Sequence, residues 1–538
     1  MESVHIIVSF SALWTACLAL DMKFPVGFKF GAATSAYQIE GAWNASDKGR
    51  SIWDSVVHNN PNIIEDGTTG DVACDSYHLW REDVHIAHDL GLHFYRFSIS
   101  WTRILPTGFP NRISKDGVRY YNKLINELLK KGIEPVVTLY HFDLPLNIQN
   151  LGGWTNPLIV DWFADYARTV FSMYADRVKT WITINEPLII CDLNYNMGKF
   201  VPLISEELLG PFICNKNVLM AHAKAWRIYD ENYKEKYQGK VSIANNPIWL
   251  EAQSEKDEEL SERAREFGVG RYSDPIYSKE GGWPQSIEKI MAEYSRKQGF
   301  PYSRLPSFTD EEKKLVQGTY DFFSLNFYTS RLVRSARENE DPGLWYLSGS
   351  KELNLVLEKD PHWPKTDFAY IVVQPEGIRR QIAWINKRYN NVSILITENG
   401  LGTRSSDHYD TARLRYIRDH LKQILLAIKE DGANVVGYTV WSLLDNFEWM
   451  FGHTMKFGLY SVDFADPLRT RTPRASAHFY KSVIKHHSID VPHASHHWKE
   501  YHKTHNNGKT IKYSLCFLFI VIILEQIVYK LLLYETDN

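Results

Sequence analysis

This sequence lacks a surplus of charge of either sign, and that absence excludes a class of partners. Sixty-one Lys and Arg stand against 64 Asp and Glu, a net charge of −3 over 538 residues, so no broad basic field draws the chain to nucleic acid. Cysteine is scarce. Of the five, Cys17 and Cys516 lie in terminal apolar runs, which leaves Cys74, Cys191 and Cys214. Three cannot build a disulfide framework; at most one pair forms, with Cys191 and Cys214 the favoured partners. Linkers are missing too. Between residues 21 and 485 there is no low-complexity tract and no repeat of solenoid period, so the length is not divided visibly into the three or four domains it would allow. The body must hold itself together by burial, and 44% hydrophobic residues can supply the core. Aromatic residues are plentiful: 17 Trp, 30 Tyr and 26 Phe make up 14% of the chain. Most belong in a core of this size, and flat apolar ligands such as sugar rings are what the remainder would suit.

Long apolar runs are confined to the two ends. Residues 4–20 have the form of a secretory h-region with a small-residue cleavage site, so residues 1–19 are predicted to be a signal peptide. Glu2 and the want of a basic residue before the run leave an uncleaved anchor as the alternative. Two tripeptides, Asn44-Ala45-Ser46 and Asn391-Val392-Ser393, make Asn44 and Asn391 glycosylation candidates on that route. Seven of the 20 His fall between His486 and His505, and residues 486–512 read as a solvated His-rich spacer rather than a metal site. Residues 513–534 are long enough to cross a bilayer, which takes roughly 20 helical residues, and are predicted to be a membrane tether. Glu525 and Gln526 are costly in lipid, and the polar ending Glu535-Thr536-Asp537-Asn538 is foreign to a lipid-anchor signal. A processed anchor attached near Asn507 and an untethered amphipathic extension are the alternatives. In each case residues 21–485 face the non-cytosolic side.

Within that body, eight short apolar runs alternate with helical patterns: 28–33, 94–100, 134–140, 180–184, 240–244, 322–327, 394–397 and 435–441. Between them lie amphipathic stretches such as 120–131 and 411–429, with apolar residues at helical spacing. Eight strands each followed by helix predict an α/β fold, a single closed (β/α)8 barrel with long inserted loops. Chemistry in such a barrel gathers where the strands end at their C-terminal side. There the sequence has Gln38 and Glu40 after the first run, Arg96 within the second, and His141 and Asp143 after the third. Asn185 and Glu186 follow the fourth, Asn326 and Tyr328 close the sixth, and Glu398 and Asn399 end the seventh. Trp441, Asp445, Glu448 and Trp449 belong to the eighth. Singly, each is explained by a helix cap, an ion pair or a satisfied polar core residue; together they converge on one face.

Two of these acids have matching contexts, Thr183-Ile184-Asn185-Glu186-Pro187 and Ile396-Thr397-Glu398-Asn399-Gly400. Double displacement at a glycosidic bond needs one protonated acid to assist departure and one carboxylate to attack, ~5–5.5 Å apart. These motifs stand in order with the run from Phe28 to Tyr37-Gln38-Ile39-Glu40-Gly41, with Tyr95-Arg96-Phe97-Ser98-Ile99-Ser100-Trp101, and with Trp441-Ser442-Leu443-Leu444-Asp445-Asn446-Phe447-Glu448-Trp449. In that combination the chain resembles glycoside hydrolase family 1, the retaining β-glycosidases, from about Phe24 to Ser482.

The resemblance implies that Glu186 is the acid/base and Glu398 the nucleophile, with no cofactor and no metal. Asn185 would bond the sugar 2-hydroxyl; Gln38, His141, Asn326, Tyr328, Glu448 and Trp449 would serve the rest of the substrate site, over Trp441 as a stacking floor. Arg96 and Tyr328 would flank Glu398 and keep it ionised at a low pKa, while Glu186 needs a raised one. The substrate implied is a small β-glycoside or short oligosaccharide: a β-glucoside, with β-galactosides and β-fucosides as further candidates, because Glu448 can hold either 4-hydroxyl epimer. A carboxylate at 448 would repel a phosphorylated sugar. Three departures from the family pattern bear on the aglycone: His141-Phe142-Asp143-Leu144-Pro145 carries Phe where Trp is common, Tyr370 stands where a Trp is usual, and residues 195–217 lack the usual loop elements. Two other readings compete, a thioglucosidase and a catalytically inactive klotho-like binding protein; the second is opposed by the presence of both glutamates.

Overall fold

The computed structural model describes residues 22–198 and 200–491. The predicted signal peptide at 1–19, the tether at 513–534 and the spacer from residue 492 onward lie outside them. Among the described residues no helix is long and apolar enough to cross a membrane.

The eight apolar runs become the eight barrel strands: β1 (Lys29–Ala33), β2 (Phe94–Ser98), β3 (Glu134–Tyr140), β4 (Thr180–Asn185), β5 (Lys240–Asn245), β6 (Phe323–Asn326), β7 (Ile394–Asn399) and β8 (Val435–Trp441). Consecutive strands are neighbours, all parallel, and β8 returns to pair with β1, Ala33 opposite Trp441. Each strand is a near-continuous apolar run because parallel sheets are covered on both faces. Phe94, Val136, Ile182, Ala244, Phe322 and Leu395 form a buried cluster inside the barrel. Gly31 leaves room for the Phe94 ring, which would lie 2.2 Å from any Cβ placed there.

Helices follow where the periodicity predicts, with ends set by polar caps. The helix expected at 120–131 begins earlier, at Lys115, because Ser114 accepts a hydrogen bond from the Gly117 amide and caps a first turn of Lys115 and Asp116. The second expected helix spans Thr411–Lys429 as read. One layer was not anticipated. Short strands Trp249–Ala252, Ser330–Ser335, Leu355–Glu358 and Gly349–Ser350 build a separate four-stranded sheet out of the segments inserted after β5 and β6.

Cys191 and Cys214 are joined, with Cα atoms 5.4 Å apart, and Cys74 is buried and free. The disulfide ties the turn Ile189–Asn194, just past β4, to the helix Gly210–Tyr229. The start of the loop after β4 is therefore tied to the helix that follows it.

Candidate active site

At the C-terminal ends of the strands the ladder is irregular where the two glutamates emerge. Register shifts occur between Ile182 and Asn185 on β4 and between Ile396 and Glu398 on β7. An irregular ladder re-aims the side chain that follows it. Glu186 is itself at φ +48°, ahead of Pro187, and Phe142 and Trp449 also have positive φ, +71° and +52°. With Tyr346 at +74°, four non-glycine residues in that costly region line one cleft, conformations that the surrounding structure must enforce.

Arg96 of β2 is the hub of the site. Its guanidinium donates to Thr138 Oγ1 on β3 (3.1 Å), Asn185 Oδ1 on β4 (2.7 Å), and both the Thr397 carbonyl (3.0 Å) and Glu398 Oε1 (2.6 Å) on β7. Tyr328 Oη donates to the other Glu398 oxygen at 2.7 Å. Glu186 Oε1 accepts from Asn326 Nδ2 at 2.8 Å, and the same nitrogen lies 3.1 Å from Asn185 Oδ1. Thr397 Oγ1 holds the other end of that amide, donating to Asn326 Oδ1 at 2.8 Å. Asn326 thus joins Glu186 to Asn185, and Arg96 joins Asn185 to Glu398, so the two acids are connected through one run of hydrogen-bonded side chains.

The electrostatics of the pair are unequal. Burial, and then the neighbouring charge of Glu398, push Glu186 up to about 8. Burial also raises Glu398, against Arg96, Tyr328 and Asn326, which all pull it down. The expected depression of Glu398 below the ordinary carboxylate range is thus not met: three donors offset its desolvation without reversing it. A cation and a phenol on Glu398, against one carboxamide on Glu186, place the shared proton on Glu186. Glu448 is pushed up to about 8 as well, by burial and by Glu398, with Trp441 and Gln38 as opposing donors. Burial and the Arg96 charge hold His141 well below its ordinary value, so its ring is neutral.

These groups surround a cavity of about 430 Å³, lined among others by His141, Glu186, Tyr328, Tyr370, Glu398, Trp441, Glu448 and Trp449. The His141 ring lies nearly parallel to Trp441 (centroids 5.6 Å, 14°) and to Trp449 (6.0 Å, 15°). Gln38, Asn185 and Asn326 are wholly buried behind this lining. Gln38 Nε2 faces Asn446 Oδ1 (3.0 Å) and the Phe447 carbonyl (3.1 Å), with Glu448 Oε2 at 3.3 Å. Asn185 Nδ2 lies 3.3 Å from His141 Nε2. Not every polar strand-end residue joins the cleft: Glu40 pairs with Arg103 at 2.7 Å, and Asp445 with Arg474 at 2.7 Å, both away from the cavity.

Sequence reasoning passed over Asn246 and Tyr346, both of which line the cavity. Asn246 follows β5, the one strand end from which no polar residue was taken, so the rule applied to the other seven would have found it. Tyr346 belongs to the inserted segment near the four-stranded sheet, and nothing in its surrounding sequence marks it. Among the described residues no group of three or more His, Cys, Asp or Glu is arranged to hold a metal ion.

The family described as Glycosyl hydrolase family 1 matches residues 20–489. Myrosinase 1 of Brevicoryne brassicae is 45% identical over 471 residues, covering 86% of this chain and 99% of that protein. The cytosolic β-glucosidase of Homo sapiens is 42% identical over 474 residues, covering 87% of this chain and all of that one. Among solved structures, an aphid myrosinase superimposes with a TM-score of 0.83 at 44% identity, over 87% of this chain and 100% of the other.

Proposed function

The chain belongs to glycosyl hydrolase family 1, and from that premise we propose that it hydrolyses terminal β-D-glucosides in the cleft between Glu186 and Glu398. The reaction class is that of a retaining β-glucosidase, an O-glycosyl hydrolase. One observation carries the division of roles: Arg96 and Tyr328 donate to Glu398, while the carboxyl of Glu186 accepts from Asn326.

In the first step Glu398 attacks the anomeric carbon as the bond to the aglycone oxygen breaks, and the proton of Glu186 goes to that oxygen. The ester formed on Glu398 carries no charge, which removes the main electrostatic reason for Glu186 to stay protonated. Glu186 then takes a proton from water, whose oxygen displaces Glu398 from the opposite face, and both acids return to their starting states. Asn185, held by Arg96 from behind, serves the 2-hydroxyl. Glu448 and Gln38 serve hydroxyls at the far end of the ring, and Trp441 with His141 and Trp449 forms an aromatic wall around it. Galactosides and fucosides are the neighbouring substrates to include.

Glu398→Gln is expected to abolish turnover of 4-nitrophenyl β-glucoside. Glu186→Ala should lose roughly 10²–10⁴-fold on substrates with poor leaving groups and regain rate with azide on an activated one, releasing a β-glucosyl azide. Proton NMR should show β-glucose as the first product. Activity surviving in Glu398→Gln, or α-glucose as first product, would overturn the assignment. The myrosinase relative raises thioglucosides as a second substrate class; Glu186 leaves the same machinery available to them.

The chain ends add a location to this reading: residues 1–19 direct it to the secretory route and residues 513–534 tether it. The Cys191–Cys214 disulfide suits an oxidising compartment, and Asn44 and Asn391 are exposed. Fractionation of the full chain and of one truncated after Lys485 tests it. The first should sediment with membranes and the second should be released; a soluble full chain refutes the tether.

A further inference from the structure

The two glutamates and their partners occupy only one part of the cavity. Its outer part is bounded by Ile189, Leu193, Phe200, Tyr346, Phe368 and Phe451. Tyr346 lies nearly parallel to Tyr370 (centroids 5.4 Å, 24°), and Phe368 meets Phe451 edge-on at 5.0 Å and 76°. These are flat apolar faces, suited to a planar apolar ligand.

Charge is sparse in this outer part. Among the described lining residues other than the three glutamates, the charged groups are Asp367 and Arg404, and Arg404 is engaged by both oxygens of Glu65. Arg331, which stacks on Tyr370 from behind, is taken up by Thr329 Oγ1 and the Ser330 and Tyr370 carbonyls. An anionic aglycone would leave water without a free cation to meet it among these residues, and a second hexose, whose faces can stack on these rings, would bring more edge hydroxyls than the few polar side chains here can meet. Both losses are unfavourable.

Four polar atoms of the described lining are buried without a hydrogen-bond partner, Trp53 Nε1, His141 Nδ1, Tyr370 Oη and Asn246 Oδ1, and of these only the last belongs to a carboxamide, which can meet a donor or an acceptor. Asn246 is 94% buried, the complement of its 6% exposure; its Nδ2 donates to Tyr346 Oη at 2.9 Å, and its Oδ1 is buried with no hydrogen-bond partner. A buried amide with one free end is stabilised by a ligand that completes it. A hydroxyl does so whichever way the amide is turned, because it can donate or accept.

Building on the glycosidase reading, we propose that the outer cleft takes an uncharged, flat aromatic aglycone bearing a hydroxyl, and that Asn246 is the specificity-determining residue that holds this hydroxyl. The substrate class is then β-glucosides of hydroxylated arenes, in preference to disaccharides and sulfated thioglucosides.

The test is steady-state kcat/KM on phenyl β-glucoside, its 2-, 3- and 4-hydroxyphenyl counterparts, cellobiose and allyl glucosinolate, with 4-nitrophenyl β-glucoside as reference. At least one hydroxyphenyl isomer should exceed phenyl β-glucoside by about tenfold, the scale of one added buried hydrogen bond. Cellobiose and the glucosinolate should fall well below phenyl β-glucoside. Asn246→Ala should erase the preference for a hydroxyphenyl over phenyl β-glucoside, read as the ratio of their kcat/KM values within the one variant, and Asn246→Asp, which keeps an acceptor of the same shape, should retain it. Equal rates on phenyl and all hydroxyphenyl glucosides, comparable turnover of cellobiose or the glucosinolate, or a preference that survives Asn246→Ala would overturn the inference. Failure on every substrate, the nitrophenyl reference included, would instead sink the glycosidase reading beneath it.

Discussion

Tyr328→Phe isolates one hydrogen bond on which the proposed nucleophile depends. The phenol donates to Glu398 Oε2 at 2.7 Å while Arg96 keeps the other oxygen at 2.6 Å, so the variant removes one donor and leaves the charge partner in place. A hydrogen bond to a charged group contributes about 1.5–3 kcal/mol. It favours the ionised form, and its loss raises the proton affinity of the carboxyl. At ~1.4 kcal/mol per pH unit the acidic limb of kcat/KM should move up by roughly one to two units. The donor also stabilises the carboxylate that Glu398 becomes as it leaves the sugar ester, so its loss should slow deglycosylation more than the first step, in which a more basic carboxylate attacks. The measurement is kcat/KM against pH on 4-nitrophenyl β-glucoside, with the limb assigned to the coupled pair rather than to one residue. A uniform drop at every pH with an unmoved acidic limb would show that Tyr328 acts by shape and not by tuning Glu398.

Other outcomes follow from the same geometry. With Glu186 pushed up to about 8, kcat/KM on an alkyl β-glucoside should fall above that pH; on 2,4-dinitrophenyl β-glucoside, whose leaving group needs no proton, that limb should vanish, and its persistence would refute the acid role. Glu448, ordinarily near 4.5, is pushed up to about 8 in the fold. A raised carboxyl contributes stability fully below its unfolded pKa and loses it as pH rises through the folded one. Glu448→Gln should therefore raise stability relative to the parent at pH 9 but not at pH 4, by on the order of a few kcal/mol, read as a higher thermal midpoint at pH 9 only; an equal shift at both pH values would argue against it. Replacing Cys191 and Cys214 by Ser removes a cross-link closing a 23-residue separation, expected to cost about 2–4 kcal/mol. Ile189, Leu193 and Phe200 line the outer cleft beside it, so KM for aryl glucosides should rise more than kcat falls; unchanged KM would show that the loop holds itself.

The barrel was legible because its strands are buried on both faces and each is an unbroken apolar run. Three boundaries came out longer than the apolar residues alone suggest: β4 continues to Asn185, β5 to Asn245 and β7 to Asn399, since polar residues at the mouth still take part in the ladder. The site was legible where a polar residue directly follows a strand, as with Glu186, Glu398 and Glu448. It was not legible where contact depends on an inserted segment. Tyr346 reaches the cleft from the segment containing the short four-stranded sheet, whose two- to six-residue strands carry too little alternation to stand out. The ionisation of Glu398 was misjudged for another reason: residue types reveal its donors, but the depth of burial that opposes them is a property of the folded barrel.

Arg96 reaches from its own strand to three others, while Tyr346, Phe368 and Phe451 reach the same cavity from outside the barrel strands. Most of the walls proposed for the leaving group, though not Asn246 just after β5, are thereby carried on parts of the chain away from the two acids. Substitutions in the inserted segments can explore new aglycones while the pair of acids stays in register, whereas a change at Arg96 frees Glu398 and Asn185 at once. A lineage with this layout diversifies by remodelling its rim, and a laboratory library aimed at new glucosides would be best confined to the same residues.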